Sequence, residues 1–188
     1  DNERAIEYTQ KALNIVNNAK YSKFDIAQYN ANIGYYYLKL EKVQESIDYL
    51  EKALKLRKEL FEEDNIYIAS TYTHLASGYS LEGDYDKALI YLKKSLEIRK
   101  RILPQDHSDI ASSYSNLGGA YARKDFFDDA IASYKKAYEI FKNKLGENHP
   151  DTLITYFNIG SIYFEKGEYK ESISYIAIDE RGLLKRLN

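Results

Sequence analysis

The sequence predicts an all-α fold: a right-handed superhelical solenoid of antiparallel helix pairs, with four full repeats behind an N-terminal orphan helix. Three observations predict it. Sliding the chain by 42 residues lays it over itself, and self-similarity at one fixed period marks a repeat architecture. Inside each unit the apolar residues recur at three- and four-residue steps, the period of a helix, and strand-like alternation is absent. Gly, Pro, Asp and Asn gather at the joints between these stretches, where helices stop and restart. The shift aligns Ile33, Leu75, Leu117 and Ile159; Gly34, Ala76, Gly118 and Gly160; and Tyr37, Tyr79, Tyr121 and Tyr163. In the second half of the unit it aligns Ser46, Ala88, Ala130 and Ser172, then Ile47, Leu89, Ile131 and Ile173.

Residues 3–19 form the orphan helix, because a shift of 41 sets Ala5, Ile6, Ala12 and Leu13 over Ser46, Ile47, Ala53 and Leu54. They repeat the second half of a unit without its first half. With no Met anywhere, the sequence is expected to be a piece of a longer protein. The first repeat, 22–63, carries Ile33, Tyr37 and Leu40 on one helix and Ile47, Leu50 and Leu54 on the next, with Glu41-Lys42 between them. Asp64-Asn65 open the second repeat, 64–105, whose internal turn is Gly83-Asp84; a glycine there takes the left-handed conformation that stops a helix. Pro104-Gln105-Asp106-His107 lead into the third, 106–147, with Lys124-Asp125 at its turn. The joint Gly146-Glu147-Asn148-His149-Pro150-Asp151 caps the fourth, 148–176, which turns at Gly167-Glu168. Small residues at Gly34, Ser46 and their equivalents let paired helices cross closely while a neighbouring tyrosine fills the space beside them. The pattern then breaks, with Asp179 in a small-residue column and Leu183, Leu184 and Leu187 beyond, so 177–188 are expected to be a capping helix or a linker after a solenoid over 1–176.

These columns resemble the tetratricopeptide repeat, whose leucine, glycine, tyrosine and two later alanines stand in the same places. The 42-residue period, Leu96-Glu97-Ile98-Arg99-Lys100 at a helix end, Asn116-Leu117-Gly118 and the Gly146 to Asp151 joint are similar to the kinesin light chain type. The resemblance implies a protein interaction scaffold in which the first helix of each unit lines a concave face. Just off the buried stripe of those helices stand Asn32, His74, Asn116 and Asn158, one per repeat. A carboxamide both donates and accepts, so such a ladder suits the backbone of an extended peptide. Around it lie Gln28, Tyr35 and Lys39, then Ser77, then Ser112, Gly119 and Arg123, then Phe157 and Ser161. The small residues leave room for a ligand, while Tyr35 and Phe157 offer apolar packing. The expected partner is therefore a peptide or extended segment of another protein. Chaperone carboxylate clamps of this family need lysines where Gln28, Ser70 and Ser112 stand.

Other functions fit less well. Lys and Arg total 27 against 29 Asp and Glu, balanced along the chain, so neither nucleic acid nor a membrane surface is expected as a partner. No apolar run spans a bilayer, and the expected location is the cytoplasm. The 20 tyrosines fall mostly in core columns. Without cysteine there is no thiolate metal site or thiol nucleophile. His107 and His149 occupy equivalent joints, which suits helix capping, and no nucleophile elbow or phosphate loop occurs. No cofactor, no metal and no catalysis are expected. Two alternatives remain: a peptide-sensing regulatory domain of a larger enzyme or signalling receptor, and weak homodimerisation through the solenoid ends, with Ile6, Leu13 and Ile15 unpartnered on the orphan helix.

Overall fold

The computed structural model describes residues 2–18, 22–62 and 64–175. The described residues hold the helices α1 (Asn2–Asn18), α2 (Lys23–Lys39), α3 (Val43–Leu60), α4 (Ile66–Glu82), α5 (Tyr85–Ile102), α6 (Ser108–Ala122), α7 (Phe127–Leu145) and α8 (Pro150–Glu165). Residues 169–175 are helical as well, and no strand occurs among the described residues. The expected cap or linker at 177–188 lies outside the described residues.

The helix stops are where turn chemistry places them. Gly83 and Gly167 adopt left-handed φ of 87° and 82°, and in the other two hairpins Glu41 (56°) and Asp125 (57°) take the same conformation. A residue with a Cβ is strained there, by about 1–2 kcal/mol in a left-handed helical conformation. Glu41→Gly is therefore expected to raise unfolding free energy by about 0.5–1 kcal/mol, the glycine's extra unfolded-state entropy offsetting part of the relief; urea denaturation checks it. At the other ends, the N-caps are Ser22, Asn65, His107 and His149, each accepting from a backbone N–H of the first turn.

The fold divides into two compact units, Asp1–Ile102 and Leu103–Asn188. In the first, α1 packs on α2, α2 pairs with α3, and α4 with α5. Ile33, Leu50, Leu75 and Ala53 are completely buried in it. Gly34 allows the closest approach, since a Cβ there would sit 2.6 Å from Leu50 Cγ. The Ser46 hydroxyl then donates to the Gly34 carbonyl at 2.7 Å, so the small column ties the pair by a hydrogen bond as well as by contact. Ile6 and Leu13 of α1 are buried, and Gln10 donates to the Tyr37 hydroxyl at 3.1 Å, so these two apolar side chains are already covered, while Ile15 is exposed, as is Tyr8. In the second unit, α7 packs against both α6 and α8 around Ala130, Ile131, Tyr134, Ile159 and Ile162.

Candidate functional site

In the first unit, α2 carries Gln28, Asn32, Tyr35 and Lys39, spaced three or four apart and therefore on one helix face, and α4 carries His74 and Ser77. Much of this polarity is spent internally. Arg57 of α3, buried to 4% exposure, donates to the Tyr67 carbonyl, the Thr71 hydroxyl and the Gln28 carboxamide oxygen. Gln28 passes the chain on, its Nε2 donating to Asn32 Oδ1 at 3.0 Å. Gln28 and the acceptor side of Asn32 thus serve to hold the guanidinium, which burial would otherwise penalise severely. Tyr35 is exposed, with Lys39 Nζ 5.3 Å from its ring centre and the His74 ring centre also 5.3 Å away.

His74 is the ladder position that differs chemically. Its Nδ1 is sealed from solvent with no hydrogen-bond partner. Burial, reinforced by the positive charges of Arg57, Arg99 and Lys39, pulls its pKa down to about 4. The ring is neutral at physiological pH, so it offers the inner face an imidazole and no charge.

The second unit is different. Asn116 is exposed, Asn158 is half-buried, and no side-chain hydrogen bond engages either carboxamide among the described residues. A cavity of about 530 Å³ lies between α6 and α8 and gathers four of the sequence-predicted residues, Gly119, Arg123, Asn158 and Ser161. Tyr134 of α7 and Glu165 of α8 also line it. Burial and the Glu165 carboxylate push the Tyr134 phenol above its ordinary value, against the opposing Arg123, so it stays protonated and able to donate. A carboxamide, a hydroxyl, a phenol, a guanidinium and two carboxylates, Asp125 and Glu165, thus converge on one hollow of a size that holds a few peptide residues. Ser112 and Phe157 are exposed on α6 and α8 outside it.

Tyr134 and Arg57 were not legible as site residues from the inner-helix columns, because both stand on the second helix of their pairs. The signal for Tyr134 is a column: Leu50 and Leu92 stand where the third unit has this tyrosine, opposite the doublet Gly118-Gly119. His107 and His149 act as caps, accepting from Asp109 N at 3.1 Å and Asp151 N at 3.2 Å. Among the described residues no group of His, Asp and Glu could hold a metal ion, and no helix is long and apolar enough to cross a membrane.

The family described as tetratricopeptide repeat matches residues 25–101 and 109–176. No curated protein matches the chain in sequence. Among solved structures, a protein from Podosopora anserina described as a kinesin light chain with nearly identical TPR-like repeats is 18% identical, over 98% of this chain and 88% of its own, with a TM-score of 0.85. BtubC (BKLC) from P. vanneervenii is 21% identical, over 100% of this chain and 75% of its own, at 0.90. A Rap protein complexed with Competence and Sporulation Factor is 18% identical, over 95% of this chain and 48% of its own, at 0.77. At these identities the likeness is one of fold: stacked helix pairs of the kinesin light chain-like type.

Proposed function

Because the chain belongs to the tetratricopeptide repeat family, we propose that it is a non-catalytic protein–protein interaction scaffold that holds a peptide or extended segment of a partner protein on its inner helices. The observation that carries this reading is the pair of unengaged carboxamides, Asn116 and Asn158, the second of them facing the cavity with Arg123, Ser161 and Tyr134. Asparagine side chains without internal partners are available to the N–H and C=O groups of a bound backbone. In the first unit Tyr35, Lys39 and Ser77 would offer contacts of their own, with His74 as a neutral donor or acceptor, while Gln28 and Asn32 contribute chiefly by holding Arg57. A cytoplasmic setting suits such a scaffold.

The test is a displayed peptide library selected on the wild-type chain, followed by affinity measurement of the selected peptides on an Asn116→Ala, Asn158→Ala double variant. Binding is expected to weaken by about tenfold to a hundredfold, the cost of leaving backbone groups of a buried peptide unpaired, with the melting temperature unchanged. Equal affinity combined with lower stability would mean that these asparagines tie helices together and would overturn the reading. The regulatory alternative, in which a bound peptide acts on a larger protein, draws support from the Rap structure complexed with a factor, of which the matching region is about half. That alternative would use the same residues of this chain.

A further inference from the structure

The first unit has a second hollow, built by α3, α4 and α5 and sharing no residue with the inner-face site. It measures about 570 Å³ and has an apolar floor of Phe61, Ile68, Tyr72 and Ile98. Ile68, Tyr72 and Ile98 belong to one buried core cluster, with Phe61 packed against it, so the floor is set rigidly by the fold. The rim is cationic: Lys58, Lys93, Lys94 and Arg101 against the single acid Glu97. Arg101 is neutralised by Asp64 at 2.6 Å, and Glu97 lies 3.7 Å from Lys100, so the charge that counts here is that of Lys58 and Lys94. Lys58 and Lys94 form no ion pair among the described residues and instead lean over the Tyr72 ring, each 5.7 Å from its centre. Such contacts leave the ammonium groups hydrated and able to take an anion.

We propose that this hollow is a binding site for a small amphipathic anion, an aromatic or aliphatic body carrying one acidic group. The body would lie on Phe61, Ile68 and Tyr72, and the acid would bridge Lys58 and Lys94. The volume falls in the range of sites that enclose small ligands, and an apolar floor with a few convergent charges is how such sites combine affinity with orientation. A neutral apolar molecule would gain the floor but not the rim, and a simple anion the rim but not the floor.

Anilinonaphthalene sulfonate has this chemistry and serves as the probe, titrated by fluorescence into the 188-residue chain with uncharged anilinonaphthalene as its control. One saturable site is expected. Lys58→Glu, Lys94→Glu should weaken it at least tenfold, Lys58→Arg, Lys94→Arg should keep it, and Asn116→Ala, Asn158→Ala should leave it untouched. Both lysines are exposed, so the variants should melt like the wild type. Amide shifts in a nitrogen-15 spectrum should concentrate in residues 58–72 and 93–101. Equal affinity for the charge-reversed variant, equal affinity for the uncharged control, or shifts centred elsewhere would overturn the proposal without bearing on the inner face.

Discussion

On acidification from pH 7 to about pH 4.5 the wild-type chain is expected to lose about 2 to 3 kcal/mol more stability than a His74→Asn variant. The unfolded chain's imidazole titrates at its ordinary 6.5, whereas in the fold burial and the charges of Arg57, Arg99 and Lys39 hold it at about 4. As pH falls through this window the unfolded state takes up a proton that the folded state refuses, so the folded state loses ground; above the unfolded value neither form is charged and the effect vanishes. Asparagine is what the other three repeats carry at this position, so the variant should fold, and it has nothing to titrate. Carboxylates elsewhere titrate in both proteins, which is why the difference between the two is the quantity to read. Urea midpoints at several pH values measure it, and parallel curves for both chains would remove His74 as the cause.

Two adjacent glycines are expected to respond to alanine in opposite directions. A Cβ on Gly118 would lie 2.9 Å from Cγ, Cδ1 and Cδ2 of Tyr134. Those ring atoms are next to the α7 backbone, and Tyr134 is buried in the core, so the ring cannot swing away and the helices must separate. Overpacking of this kind costs about 1–3 kcal/mol, more than the helix propensity that alanine returns. At Gly119 a Cβ would meet only the Tyr134 hydroxyl, at 3.4 Å. There the propensity gain is expected to dominate, about 0.5–1 kcal/mol of added stability. The same methyl would intrude on the cavity shared with Arg123, Asn158 and Ser161, so Gly119→Ala is expected to melt higher yet bind the selected peptides more weakly. Thermal melts and peptide titration together check both halves, and a Gly119→Ala protein that binds normally would separate the cavity from recognition.

The fold was readable because its signals are short-range. Cap and turn chemistry acts within four residues, as His107 and Glu41 illustrate, and a three- and four-residue apolar step needs no knowledge of what it packs against. The small columns were readable for the same reason, although only the coordinates show Gly34 seated on Leu50. The candidate site was half legible. Its inner-helix residues follow from periodicity, and Asn158, Ser161, Gly119 and Arg123 do share a cavity. Tyr134 was missed because it reaches that cavity from the second helix, replacing a leucine.

The four ladder positions look equivalent in sequence, and the tertiary structure makes them unequal. Asn32 is drawn into a chain that begins at Arg57, which lies 29 residues from the Gln28 it binds. His74 is half-buried, its Nδ1 sealed from solvent, beside the positive charges of Arg57, Arg99 and Lys39, and Asn116 and Asn158 stay unengaged. By itself the sequence determined the helices, their joints and the 42-residue period, since those depend on neighbours along the chain. Which polar groups are spent inside and which remain for a partner was decided only in three dimensions. Burial and hydrogen bonding are set by residues that folding, and not sequence order, brings into contact.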